Sequence, residues 1–483
     1  MKRRQLIKTA AFSSIYLSAG CFGENKTDTS TLLIDTSNTD STATPNLLFI
    51  PPLLDPSPDQ NGVKQFDLTI QSATHSFFDG IETESYGING SYLGPTLRVE
   101  LGDKVSINYT NQLNEVTTMH GHGMHVPANM DGGPHQIIEV GATWSAQYTV
   151  KQKACTNWYH PHQMGKTAEQ IYKGLAGVII LEDAETLTHP LPKTYGVDDI
   201  PLVLQDRFFD ENGQFDYSPT HMEIMRGYKG DIFIANGQIE PIFAATTTLL
   251  RIRLLNASNA GVYNLSFTDN HPFKQCAGDN SLLERPVEMS SLLLTPGERA
   301  EIIVDLSSFV GETITLTETT ENKAFLHIQV SASLTNSTSI PTELTILNRW
   351  SETDAVQTRH FTLSGSQGQL YINNKQMDIT RIDQRLILNQ IELWEIENQM
   401  QMDHNFHIHA SHFLVLSRNG NPAEVQDNCK GYKDTVHVPP SETVRIIVKM
   451  SDYEDPDGKY MFHCHFLEHE DAGMIGQFIV EGN

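Results

Sequence analysis

The chain has 483 residues, which at roughly 150 residues per domain suggests about three domains, so core size does not limit the fold. Its 33 Lys and Arg against 59 Asp and Glu leave a net charge of −26, which argues against nucleic acid, whose affinity comes largely from basic side chains on phosphate. Charged residues are 19% and hydrophobics 39%, ordinary for a globular protein, and no internal apolar run approaches the roughly 18 residues of a membrane span.

Residues 1–21 read as an export signal. Lys2, Arg3, Arg4 and Lys8 precede a short, mild apolar stretch, TAAFSSIYLSAGC, that ends in small residues. Arg3-Arg4 followed by Gln5-Leu6-Ile7-Lys8 has the form of a twin-arginine signal, the route for proteins exported already folded. LSAGC resembles a bacterial lipobox with Cys21 as the lipidated residue, although Ser18 stands where Leu is usual. The expected location is the bacterial periplasm or cell envelope, with Cys21 a candidate lipid anchor; the alternative is an ordinary cleaved signal. Residues 22–46 are rich in Ser, Thr, Asn and Asp and read as a disordered tether.

From about Pro45 onward the pattern is β. FDLTI, TLRVELGDKVSINYTN, LLRIRLLNAS, ERAEIIVDL, ETVRIIVKM and MIGQFIVEG are short alternating or β-branched runs punctuated by Gly, Pro, Asn and Asp. One short helix is expected within GKTAEQIYKGL, residues 165–175. Many short strands with turn signals mean sandwiches or barrels. A weak repeat of strand followed by polar Asn recurs at 95–113, 246–258 and 389–400, near the start of each third of the chain. Expected domains are 47–190, 191–345 and 346–483, with linkers around THPLPKTYGVDD and LTNSTSIPTE.

Ten of the 20 histidines fall into four tight clusters. These are His120 and His122; His160 and His162; His404, His407 and His409; and His463, His465 and His469. Each contains a His-X-His pair, and on a strand residues i and i+2 face the same way, so each pair aims two imidazoles at one place. Neutral imidazole suits Cu, Zn, Fe and Ni. Parity sorts the ligands further. His463 and His465 share a face and Cys464 takes the other; His407 and His409 share a face that His404 does not. Cys464 and His404 can therefore meet on one side, with His469 and Met474 following at five-residue steps on a loop. His₂Cys with a long axial Met is a blue-copper electron-transfer site; zinc would accept Cys and His, but the Met favours copper. The other eight histidines form an all-imidazole site, too many for one metal and suited to three.

These motifs resemble the multicopper oxidase family, laccases and bilirubin oxidases included, and most closely the bacterial periplasmic copper-efflux, or cuprous, oxidases. The likeness covers nearly all of 60–483, including WYHPHQMGKTAEQIYKGLAGVIILED, HNFHIHASHFLVLSRNG, GYKDTV and HCHFLEHEDAGM. It implies an all-β fold of three cupredoxin-like Greek-key β-sandwich domains. It implies four coppers per chain: type 1 on His404, Cys464, His469 and axial Met474; type 2 on His120 and His407; and a type 3 pair on His122, His160, His162, His409, His463 and His465. Electrons would enter at type 1, pass through Cys464 into His463 and His465, and reduce O₂ to water. Glu470 and Asp131 are the carboxylates expected to handle protons, against the alternatives of orienting ligand imidazoles or, for Asp131, forming a turn before Gly132-Gly133.

Two departures bear on the substrate. Gly121 stands where a tryptophan is usual in the closest relatives, which changes packing and not ligation. The methionine-rich insert common in efflux oxidases is missing: residues 310–400 hold only Met377 and Met400. Met400 and Met402 could still assist Cu(I), with ordinary packing as the plainer reading of Met400. The expected reductants are therefore phenols, aromatic amines or Cu(I), the role copper tolerance, and the working unit a monomer. The alternatives are a copper-sequestering protein with incidental oxidase activity, and a scaffold on the same fold. Cys155, Cys276 and Cys429 read as buried free thiols, and His125, His135, His412 and His437 as structural or surface residues.

Overall fold

The computed structural model describes residues 46–58, 61–336 and 339–482; the signal, Cys21 and the tether up to residue 45 lie outside them. The described chain is built of strands, as the alternating runs predict. In Lys64–Phe78, for example, Phe66, Leu68 and Ile70 are buried while Asp67 is exposed, the two-residue period of a sheet with one wet face.

The strands form six sheets, and each sheet draws its strands from one of three stretches of chain. Strands between Ser57 and Glu182 make a five-stranded and a four-stranded sheet. Those between Asp199 and Thr335 make a seven- and a five-stranded sheet. Those between Ala355 and Glu481 make two five-stranded sheets. Each pair encloses its own apolar core; the third is centred on Phe361, Trp394, Phe406 and Phe462. Burying one such ring stabilises the fold by about 1.5–3 kcal/mol. A further core, including Trp158, Ile171, Val203, Leu255 and Leu467, joins residues of all three stretches. The segment Asn46–Ile50 lies along the middle stretch: Leu48 N–H donates to Ile242 O at 2.8 Å.

The predicted short helix is present as Thr167–Tyr172. It has no cap of its own. Its first N–H groups, at Thr167 and Ala168, are taken instead by the Asp471 carboxylate at 3.1 and 2.9 Å. Asp471 ends a second helix, Leu467–Asp471, where the sequence suggested a loop. The strand Asp455–His463 ends, a helical turn follows, and Ile475–Glu481 is the last strand.

Candidate metal centres

Four strands position the histidines. His120–His122 pairs antiparallel with Cys155–His160, setting His120 opposite His160. His404–Ile408 pairs antiparallel with Asp455–His463, setting His407 opposite His463. His120, His122, His160, His162, His407, His409, His463 and His465 are all buried and converge on one chamber between the first and third stretches. Nε2 of His463 lies 3.2 Å from Nε2 of His162 and 3.1 Å from Nε2 of His409. His122 Nδ1 lies 3.4 Å from His160 Nε2. His465 completes the second group, with ring centroids 4.9 Å from His122 and 5.3 Å from His160.

Most of these rings are anchored at Nδ1, which leaves Nε2 for the chamber. The acceptors are backbone carbonyls for His120 (Asp131 O, 2.6 Å), His160 (Pro161 O, 2.7 Å), His407 (Asp434 O, 3.0 Å) and His463 (Cys464 O, 3.1 Å). For His409 it is Asp131 Oδ2 at 2.7 Å. His122 is reversed: its Nε2 is held by Asp434 Oδ1 at 3.0 Å and Nδ1 faces inward.

The chamber's chemistry fits a metal. His120 Nε2, His407 Nε2 and both ring nitrogens of His465 are buried without a hydrogen-bond partner. Such an atom costs about 1–3 kcal/mol, which ligation would recover. Burial, reinforced by neighbouring imidazoles, holds His120, His122, His160, His409, His463 and His465 well below the usual histidine range, and burial holds His162 at about 4. The neutral, ligating form is thereby favoured.

On the other face, His404, Cys464 and His469 bring one ligand atom each within 4.8 Å of one another. Cys464 Sγ lies 3.4 Å from His404 Nδ1 and 3.6 Å from His469 Nδ1. Parity placed His404 and Cys464 correctly. The strand ends at His463, but Cys464 N–H still donates to Met474 O at 3.2 Å, which keeps the chain extended one residue further. The helical turn then returns His469 to the site. Met474 is buried in the same apolar cluster as Cys464. Burial pushes the Cys464 thiol up to about 12, so a thiophilic metal must displace its proton. The outer nitrogens of both histidines are covered: His404 Nε2 by Met400 Sδ at 3.2 Å, and His469 Nε2 by Met225 O at 3.1 Å.

The two carboxylates differ. Asp131 bridges His120 and His409 as above, and its turn needs Gly132, whose φ is +76° and where a Cβ would stand 1.8 Å from Met119 O. The turn and the imidazole-orienting readings therefore both hold for Asp131, with Oδ1 left unpartnered. Glu470 stands 3.3 Å from both His162 Nδ1 and His463 Nδ1, yet neither of its oxygens has a hydrogen bond of good geometry. Burial, with Asp471 adding to it, pushes its carboxyl well above the usual range.

Residues the sequence reading passed over are Asp434, Thr435, Arg299, Asn405 and Met225. GYKDTV drew notice as a motif, but nothing in it marked Asp434 as a partner of His122. Asn405 Oδ1 accepts the His465 N–H at 2.6 Å, tying one strand's ligands to the other's. Gly121 leaves space that Met124 fills, its Cγ 3.1 Å from where a Cβ would stand. Cys155, Cys276 and Cys429 are free thiols, the first two buried and Cys429 half-buried. His125, His135 and His437 each hydrogen-bond a side chain outside the chamber, Asp452, Gln477 and Asp403 respectively, and His412 pairs with His125.

Sequence models described as multicopper oxidase match residues 69–186 and 338–483. A Staphylococcus aureus protein named multicopper oxidase mco is 35% identical, over 92% of this chain and 94% of its own. A Xenorhabdus nematophila protein named cell division protein FtsP is also 35% identical, over 90% of this chain and 92% of its own. Among solved structures, a laccase from Pediococcus acidilactici superposes with a TM-score of 0.85 at 34% identity, over 91% of this chain and 94% of that one. The laccase-like multicopper oxidase CueO of Ochrobactrum sp. gives 0.83 at 35%, over 90% of this chain and 100% of that one.

Proposed function

Since this chain belongs to the multicopper oxidase family, copper-binding oxidoreductases that use O₂, we propose that it oxidises Cu(I), phenols or aromatic amines by single electrons at a type 1 site. His404, Cys464, His469 and Met474 would hold that copper. His120 and His407 would hold type 2, and His122, His160, His162, His409, His463 and His465 the type 3 pair. Bound copper would supply the one-electron redox chemistry and the reduction of O₂ to water.

The residues themselves do the rest. The observation that carries the reading is the placement of three consecutive side chains, with Cys464 facing one ligand group while His463 and His465 face the other. One short stretch of backbone thus joins the two sites. Asp131, Asp434 and the backbone carbonyls fix the imidazole tautomers. Glu470, close to two of the rings and without a good hydrogen bond, is the group placed to deliver protons.

Met400 and the Met225 carbonyl cover the outer edges of the Cys464 site, which favours a small, thiophilic reductant over a bulky ring. Cu(I) oxidation in an exported, copper-tolerance role is the reading this supports. Met400→Leu, a swap of similar volume, should slow Cu(I) oxidation severalfold and leave phenol oxidation within about twofold. Copper-loaded protein that is blue, near four coppers per chain, and consumes no O₂ with either reductant would sink the proposal. Sequestration is the second reading; cells carrying Cys464→Ser should then tolerate copper as well as wild type. A scaffold on the same fold is the third reading, which the full ligand set disfavours and which failure to take up copper on reconstitution would support.

A further inference from the structure

The middle stretch, 199–335, supplies none of the ten clustered histidines and not Cys464, and so reads as a spacer. We infer instead that its Arg299 is a positioning residue for the histidine chamber, acting through Asp434 to hold His122 in its reversed orientation; the inference rests on the chamber being the O₂-reducing site.

Arg299 is wholly buried and its guanidinium reaches all three stretches. Nε donates to Thr156 O at 3.0 Å and Nη2 to Asn157 Oδ1 at 2.7 Å, both in the first. Nη1 donates to Gly297 O at 3.0 Å, and Nη2 shares a hydrogen with Asp279 O at 3.0 Å, in the middle one. Nη1 and Nη2 then grip Asp434 Oδ1 at 2.7 Å and Oδ2 at 2.6 Å, in the third. A two-pronged guanidinium–carboxylate pair is planar and directional, so it fixes the plane of the carboxylate as well as its place.

Asp434 meets the chamber twice, once through its carboxylate and once through its backbone. Oδ1 accepts from His122 Nε2 at 3.0 Å, and the Asp434 carbonyl accepts from His407 Nδ1 at 3.0 Å. Apart from Thr435 Oγ1 at 3.4 Å, Asp434 is the group that holds His122 Nε2. Without it, the ring can turn over and present the wrong nitrogen. Asp434 is not free to be a ligand itself. Arg299 donates to it twice, and His122, Thr435 at 2.8 Å and Asn280 donate once each, so its lone pairs are taken.

Two glycines make room for this arrangement. A Cβ at Gly123 would stand 2.6 Å from Arg299 Nη2, and one at Gly297 would stand 3.2 Å from His122 Cε1 and 3.1 Å from His465. Both have positive φ, +81° and +85°. The middle stretch thus lays its backbone directly against two chamber imidazoles.

The test compares Arg299→Lys and the nearly isosteric Asp434→Asn with wild type, all copper-loaded. The blue absorption at Cys464 reports an intact fold, while the type 2 electron paramagnetic resonance signal and the near-ultraviolet band of a bridged copper pair report the chamber. The expected result is an unchanged blue band, altered or diminished chamber signals, and a tenfold to hundredfold fall in kcat with KM for the reductant unchanged. Wild-type chamber signals and kcat in both variants would overturn the inference. So would parallel loss of blue and chamber signals in both, which would make Arg299 and Asp434 general supports of the fold. If wild type itself shows the blue band but no chamber signals, the reading of the chamber fails and not the role of Arg299.

Discussion

The histidine chamber and the ion-pair seam that runs beside it are equally dry, yet they treat their polar atoms in opposite ways. In the seam, Arg253 donates to Asp199 at 2.7 and 2.8 Å and to Glu301 at 2.9 Å. Arg251 also donates to Glu301, and Thr156 Oγ1 reaches it at 2.6 Å from the first stretch. Lys433 stands 3.0 Å from both Asp279 and Glu298. In the chamber, ring nitrogens of His120, His407 and His465 and both oxygens of Glu470 lack hydrogen-bond partners. Folding leaves few such atoms in water-free interiors, because each costs free energy that a partner would recover, and the chamber gathers many of them in one place. A buried charge whose bonds are all made joins parts of the molecule; a buried group whose bonds are left open is kept for something else.

Substitutions should split along this line. The largest effect belongs to Cys464→Ser, which removes the thiolate that a blue site requires. Oxidase activity should fall to background and the blue colour vanish, while circular dichroism and the seam stay as in wild type. In the seam, Arg253→Ala strands Asp199, leaves Glu301 to Arg251 and Thr156, and should cost about 3–5 kcal/mol, read as a lower denaturant midpoint, with the blue band retained until the protein unfolds. A seam variant that lost its blue band while fully folded would erase the distinction.

The next effect is a pH dependence. Burial alone would raise the Glu301 carboxyl, but Arg251 and Arg253 outweigh it and hold it at about 2, against 4.5 as the ordinary value. A depressed carboxyl contributes stability that is present in full above 4.5 and is lost as pH falls toward 2. The size is about 3 kcal/mol. Denaturant midpoints measured between pH 7 and pH 2 should fall more steeply for wild type than for Glu301→Gln over the range 4.5 to 2.

The chamber was legible in the sequence and the seam was not, for one physical reason. His-X-His spacing on a strand carries its own geometry, and rare residues at that spacing stand out against a β background. Alternation placed His404 opposite His407 and His409 without reference to any other part of the chain. LLRIRLLNAS alternates equally well, but alternation says only that Arg251 and Arg253 share a face. It does not say whether that face meets water or another sheet, and here it meets Thr156 of a sheet in the first stretch. Arg299 and Asp434 are harder still, since the two lie 135 residues apart. The same limit explains the error at the C-terminal motif. Five-residue steps from Cys464 to His469 to Met474 fit a loop or a helical turn, and the contact of that turn with the Thr167–Tyr172 helix decides between them.

The smallest effect is the most discriminating, because it repeats the Glu301 substitution inside the chamber. Glu470→Gln removes a buried carboxyl that has no good hydrogen bond, so metal-free protein should lose less than about 1 kcal/mol, and a Gln in place of a poorly solvated carboxyl can even stabilise it. Turnover should behave in the opposite sense. If Glu470 hands protons toward the space between His162 and His463, an amide of the same shape cannot, and kcat should fall tenfold to hundredfold with copper content and the blue band unchanged. Glu301→Gln should show the converse pair, lower stability and ordinary kcat in the folded protein. Were Glu470→Gln to unfold easily and turn over normally, its carboxylate would belong with the seam, and open hydrogen bonds would cease to mark function in this molecule.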